Sequence, residues 1–225
     1  MDMIPRVIVY DAVSLDGRTI GLDVDKELYN EIASKWDLDA VLMGSNTVLA
    51  ELNAKPGEVR GEGKKPQIDP EDERPLLVVP DSRGQIRVWD EVRAMPYFRD
   101  ILVLCSRSTP QEYLNFLEER YVKHMVIGYQ EVDLGAALNE LNVQFGVKSL
   151  RVDSGGVLNG VIFREGLVDE VNVLIHPELV GGKSSSSIFP ASELNPSGGS
   201  KVQLVLVHVE NLKTNFVWLQ YRVFK

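Results

Sequence analysis

Two glycines at the end of a short apolar run are the first residues whose types and spacing suggest chemistry. In Leu150-Arg151-Val152-Asp153-Ser154-Gly155-Gly156 a strand pattern stops at an acid and opens into a glycine turn. Val157 to Arg164 follows with Leu158, Val161 and Ile162 at helical spacing, and Gly166 closes the helix. Val168 to Ile175 reads as the next strand, which Pro177 helps to stop. A glycine turn at a helix N-terminus lets an anion approach the backbone, where free N–H groups and the positive end of the helix dipole meet it. The same residues also serve as a tight turn between packed elements, and the turn alone does not decide between these readings. Asp153 carries two readings as well. Its carboxylate either faces a ligand or caps the following helix through the Gly155 or Gly156 N–H.

Three further polar turns stand at strand ends. Ser14-Leu15-Asp16-Gly17 comes after the apolar strand Ile4 to Tyr10 and the segment from Asp11 to Val13. Gly44-Ser45-Asn46-Thr47 follows Ala40 to Met43, and Asp81-Ser82-Arg83 follows Pro75 to Val79. Ligands of open α/β sheets gather at the carboxyl ends of strands. Asp16 is also consistent with a turn aspartate that binds nothing, since Asp-Gly is a turn signal. Thr47 has capping as its commoner fate and ligand bonding as its alternative. Arg83, and Arg107 in Cys105-Ser106-Arg107-Ser108 after the strand Ile101 to Leu104, suit a phosphate, although a solvated surface arginine is the default.

The elements that must position these turns alternate. Asp25 to Trp36 reads as a helix with Leu28, Ile32 and Trp36 on one face. Pro110 to Glu119 reads as a helix, Val122 to Ile127 as a strand, and Asp133 to Phe145 as a helix. Alternation of strand and helix predicts a largely parallel sheet with helices on both faces. Val202 to Val209 and Thr214 to Phe224 form two long strands with a short connection, which predicts an antiparallel hairpin completing a mixed sheet. Asn53 to Glu73, with Pro56, Pro66 and Pro70, reads as a mobile loop, and Lys183 to Ser200 as an exposed polar loop. We read residues 1–225 as a single domain.

Composition narrows the function. An apolar fraction of 44% supports a full core, and no apolar run reaches the length of a membrane span. The start of the chain, MDMIPRVIVYDAV, has no signal-peptide pattern. The one cysteine, Cys105, lies in an apolar strand and reads as a buried structural thiol, which together suggests the cytoplasm. A net charge of −9 argues against general nucleic-acid binding. The histidines, His124, His176 and His208, are dispersed and form no metal-ligand cluster.

Taken in order, the four turns and the terminal hairpin resemble the reductase family of riboflavin biosynthesis, which has a dihydrofolate-reductase-like α/β fold with a mostly parallel central sheet. The resemblance covers essentially the whole chain and is closest over VDSGGVLNGVIFREGLVDEVNVLIHPELVGG. It implies an NADPH-dependent reductase. Gly155, Gly156, Val157 and Leu158 would hold the cofactor diphosphate, Thr47 and Glu51 correspond to further cofactor positions, and Ser82 with Arg83 would meet the 2′-phosphate. Asp153 would face the substrate, and Ser14 to Gly17 would lie near the nicotinamide, with Asp153 and then Asp16 as candidate acids. Related reductases are dimeric, so a homodimer built on the terminal hairpin is expected.

The chain departs from the family pattern in places. Ser154 stands where glycine is usual, the segment after Thr47 lacks an aspartate-proline and a downstream arginine, and Gly21 to Asp39 is short. No H-x-E with P-C-x-x-C deaminase signature is present in these residues, so the resemblance is to the stand-alone type acting on the diaminopyrimidinone phosphate. Two alternatives stand beside it. One is a pterin or folate reductase of the same fold, using Asp25 or Glu27, and the other is a nucleotide-binding protein without catalysis.

Overall fold

The computed structural model describes residues 4–63, 65–67, 69, 71–182 and 202–224. The polar stretch Lys183 to Ser200 therefore lies outside the described residues. In chain order the elements are β1 (Arg6–Ser14), α1 (Lys26–Ala33), β2 (Ala40–Leu42), α2 (Ser45–Glu51), β3 (Leu76–Pro80) and α3 (Trp89–Arg93). Then come β4 (Asp100–Cys105), α4 (Gln111–Glu119), β5 (Lys123–Val126), α5 (Leu134–Phe145), β6 (Ser149–Val152), α6 (Gly156–Arg164) and β7 (Glu170–His176). The chain ends with β8 (Leu204–Asn211), a 3₁₀ turn (Lys213–Asn215) and β9 (Val217–Val223). These elements fall into two compact units, Met1–Pro5 with Leu38–Leu150 and Arg6–Asp37 with Arg151–Lys225.

In the first unit the strands run in the order β5-β4-β3-β2, every neighbour parallel. Leu76 to Val79 and Ile101 to Cys105 are buried along their whole length, which is why both read as unbroken apolar runs. The side chains of Leu77, Val79, Ile101, Val103 and Cys105 pack with Ile86, Val88, Trp89, Tyr113 and Leu117, each of these last five fully buried and the aliphatic ones worth about 1.5–3 kcal/mol of transfer free energy apiece. Helix α5 is set by Asp133, whose carboxylate accepts from the Ala136 N–H at 2.9 Å, and by Gly146 in the left-handed region at φ 68°. The first part of the long proline-bearing loop is tied down rather than loose. Arg60 pairs with Glu58 and with Glu91 at 3.0 Å, and the Gly63 N–H donates to Asp90.

In the second unit the order is β6-β1-β7-β9-β8. β1 and β7 are parallel, with Tyr10 beside Asn172 and Ser14 beside His176. β9 runs antiparallel to both β7 and β8, giving the expected hairpin. On one face Tyr10, Leu174 and Trp218 are covered by Ile32 and Ala33 of α1, with Trp36 packed edge-on to Tyr10.

Several boundaries differ from the sequence reading. β1 runs on to Ser14, so Asp11 is a strand residue rather than the start of a loop. Gly44, not Thr47, is the N-cap of α2, and Thr47 sits in the helix's first turn. The short helix α3 carries too few residues to show a helical period, and the sequence reading passed over it. β9 starts three residues later than expected because Thr214 and Asn215 take positive φ in the connecting turn.

Candidate active site

The carboxylate of Asp153 is held on both oxygens. It stands just beyond β6, whose alternation buries Leu150 and Val152 and leaves Arg151 on the other face. Two residues further along that face, Asp153 accepts from the Arg151 guanidinium at 3.1 Å through Oδ2. Oδ1 accepts from the Tyr29 hydroxyl of α1 at 2.8 Å. Arg151 also reaches the Ala33 carbonyl at the C-terminal end of α1 at 3.4 Å, where the helix dipole favours a cation. Tyr29 is fixed in turn by Tyr10: the rings stack at 4.3 Å, and each hydroxyl lies 3.2 Å from the other's main-chain oxygen. Burial drives both phenols well above their ordinary pKa, and the nearby carboxylates add to it, so Tyr29 remains a donor. Asp153 keeps 26% of its side chain exposed. The result is a rigid carboxylate with one open side.

A second carboxyl lies close by. Asp11 of β1 accepts from the Asn159 side-chain amide of α6 at 2.7 Å, and the same amide donates to the Ser154 carbonyl at 3.1 Å. Desolvation, followed by repulsion from Asp153, raises the Asp11 pKa well above the usual carboxylate range, while the Asn159 bond opposes the shift.

The glycine turn opens α6, with Gly155 as N-cap and Gly156 as the first helical residue. Gly155 has φ −70° and ψ 170°, extended backbone that any residue adopts, so conformation does not explain a glycine here. A side chain at Gly155 would find no atom within 4 Å of its Cβ. The space above the turn is open, Val157 is 76% exposed, and the first turn of α6 carries no acidic residue. A phosphate of a dinucleotide fits that combination of free space, helix N-terminus and absent repulsion.

The Ser14 to Gly17 loop is a clasp. The Asp16 carboxylate accepts from Ser14 Oγ at 2.6 Å, Val180 N–H at 3.1 Å and Gly181 N–H at 2.8 Å. Arg18 reaches the Gly182 carbonyl at 2.7 Å, and Gly17 turns at φ 76°. The Ser14 bond, then those from Val180 and Gly181, hold the Asp16 pKa down to about 2.

The remaining sequence candidates belong to the first unit. Thr47 is half-buried near the start of α2 and Glu51 is its exposed last residue. Ser82 and the exposed Arg83 sit on a turn fixed by buried Asp81, which accepts from the Gln85 and Ile86 N–H groups and from Tyr113. The Ser82 carbonyl accepts from Thr109 at 2.9 Å. Arg107 is exposed after β4. Cys105 is buried, and desolvation pushes its thiol up to about 12, so it is an inert packing residue.

Tyr29, Arg151, Asp11 and Asn159 escaped the sequence reading. Arg151 had a signal, since its position two before Asp153 in a strand puts both on one face. Asn159 and Asp11 had a weaker one, each a polar residue inside an apolar element.

The model of the RibD C-terminal domain family matches residues 5–218 of the chain. A 2,5-diamino-6-ribosylamino-4(3H)-pyrimidinone 5′-phosphate reductase of Archaeoglobus fulgidus is 31% identical over 201 residues, covering 83% of this chain and 86% of that protein. Among solved structures, a pyrimidine reductase-like protein of Corynebacterium diphtheriae superposes with a TM-score of 0.74 at 17% identity, covering 98% of this chain and 92% of its own. Acinetobacter baumannii RibD gives a TM-score of 0.69 at 22% identity, and the chain spans 58% of its length. These two structural likenesses speak to the fold.

Proposed function

The chain belongs to the pyrimidine reductase family of riboflavin biosynthesis, defined by the RibD C-terminal domain, and from that premise we propose that it reduces 2,5-diamino-6-ribosylamino-4(3H)-pyrimidinone 5′-phosphate to the ribitylamino product, with NADPH as reductant. The observation that carries the reading is the Asp153 carboxylate, fixed by Tyr29 and Arg151 and partly open beside the glycine turn. When bound, the nicotinamide would supply the hydride. The protein's part is to bind, orient and manage protons.

We assign Gly155, Gly156, Val157 and Leu158 to the diphosphate, supported by the open space over Gly155 and the helix N-terminus. Thr47, Glu51, Ser82 and Arg83 take the further cofactor contacts that the resemblance gives them, with Arg83 exposed as a 2′-phosphate partner requires. Asp153 orients the substrate through hydrogen bonds, in a geometry that its neighbours already impose. Asp16, ionised and saturated by three donors, serves as a loop clasp together with Ser14 rather than as an acid. The pterin-reductase alternative needs a carboxylate on α1 facing a pocket. Asp25 instead caps that helix through the Leu28 N–H at 3.0 Å, and Glu27 is exposed. Among the described residues no helix is long and apolar enough to cross a membrane, and a buried lone thiol fits the cytoplasm, to which we assign the enzyme.

The test is turnover. Purified protein, the diaminopyrimidinone ribosyl phosphate and either NADPH or NADH are mixed, with cofactor oxidation followed by absorbance and product by mass. We expect turnover with NADPH and a weaker affinity for NADH. Tight NADPH binding without turnover on this substrate would favour a nucleotide-binding protein instead.

A further inference from the structure

We propose that Asp11 is a second functional carboxyl of this site, the group that supplies the proton the reduction consumes, with Asn159 as the residue that positions it. The inference rests on the reductase reading above. Asp11 sits within β1, the strand next to β6, and β6 is the strand that ends at Asp153. A carboxyl in the interior of a strand needs a reason, because it must be desolvated there. Asn159, fully buried in α6, joins Asp11 to the carbonyl of Ser154 in the glycine turn. One side-chain amide therefore ties this carboxyl to the very turn that the cofactor is assigned to.

The neighbours of Asp11 sort the two carboxyls. On β6, Arg151 is engaged by Asp153. On α1, Tyr29 donates to Asp153 as well. Tyr10, beside Asp11 in β1, has its hydroxyl on the Tyr29 carbonyl. Asp153 thus takes the cation and the phenol, and Asp11 is left with one neutral amide from Asn159 and the repulsion of Asp153. A carboxyl whose surroundings penalise its charge is suited to hold a proton and to give it up. Here Asp11, whose charged form is penalised first by desolvation and then by Asp153, is the acid.

The reaction has a place for that proton. Reduction adds a hydride to the anomeric carbon of the ribosylamine and breaks the bond from that carbon to the ring oxygen, whose electron pair stays on oxygen. The oxygen needs one proton to leave as the hydroxyl of the ribityl chain. Asp11 gives it, becomes a carboxylate and is reprotonated from solvent. One hydride and one proton are consumed, and the nicotinamide is oxidised.

Two measurements test this on the intact protein. The first is steady-state kinetics of Asp11→Asn, an isosteric change whose amide oxygen still accepts from Asn159. The expected result is a kcat lowered about a hundredfold at unchanged cofactor affinity. The wild-type loss of kcat as pH rises through the ionisation of Asp11 should also be absent from the variant. The second needs no turnover: the Asp11 carboxyl is titrated by carbon NMR, assigned with Asp11→Asn. It should be protonated at neutral pH. Its midpoint should move down in Asp153→Asn, which removes repulsion, and up in Asn159→Ala, which removes the donor that steadies the anion. An active wild type with an Asp11→Asn variant of equal kcat and pH profile, or an Asp11 carboxyl ionised at neutral pH, overturns the proposal. A wild type without turnover overturns the reductase reading instead, and the donor role falls with it.

Discussion

Asp153 can be separated from a mere helix cap by one atom. Its oxygens take Tyr29 and Arg151, so its position is set by side chains rather than by the turn's N–H groups. In Asp153→Asn the amide keeps the volume but loses the charge and presents N–H where one donor now points. We expect a folded protein with unchanged cofactor affinity and turnover lowered about a hundredfold or more. Near-wild-type turnover would reduce Asp153 to a structural role. Tyr29→Phe removes one donor from the same carboxylate and should cost about 1 kcal/mol of stability by the usual worth of such a bond. Its turnover should fall less than that of Asp153→Asn, because Arg151 remains. The place of this carboxylate was legible in the sequence, since it ends a strand before a glycine turn. Its supports were not. Tyr29 is 124 positions away from Asp153, and no local pattern announces a contact made across that span.

At the level of elements, the glycine turn and the clasp make opposite use of backbone. Gly155 has an ordinary φ and empty space in front, so the fold itself does not demand a glycine there. Gly155→Val should therefore melt within a few degrees of wild type while losing most of its NADPH affinity, read by circular dichroism and a fluorescence titration. Normal binding would move the diphosphate elsewhere. The Asp16 clasp is a matter of charge. Its folded pKa of about 2 lies below the unfolded value of about 3.9, so its contribution is complete above the unfolded value and fades as pH falls toward about 2. Amide protection at Val180 and Gly181, taken relative to the intrinsic exchange rate at each pH, should fall through that window, and Asp16→Asn should lower it already at neutral pH; unchanged protection in the variant would mean the clasp is idle. Strands β3 and β4 were readable because burial on both faces demands continuous apolar residues. α3 was not, because five residues are too few to display a period. The extension of β1 through Asp11 was hidden by the carboxylate itself, since a charged residue breaks the apolar run from which a strand is read.

For the whole molecule the open question is what covers β8. It pairs with β9 on one side, and among the described residues nothing pairs with its other edge. Leu204, Val205, Leu206, Val207 and Val209 are all exposed, Val207 at 58%. An apolar edge strand of eight residues is a template for another strand, and natural proteins protect such edges with charge, proline, a bulge or a cover. β8 has an irregularity between Leu206 and His208, and its charged residue, Glu210, lies near one end. The occupant that fits without any further component is the same strand of a second copy. Two such edges meet antiparallel about a two-fold axis, each supplying the identical patch, and the arrangement closes at two. We therefore expect light scattering at micromolar concentration to give twice the chain mass of 25.2 kDa, and the melting temperature to rise with protein concentration. Lysines at Val207 and Val209 together should yield a folded monomer, because both side chains already face solvent and the fold does not need them. A wild-type monomer, or a double-lysine variant that remains dimeric, would place the partner of this edge elsewhere.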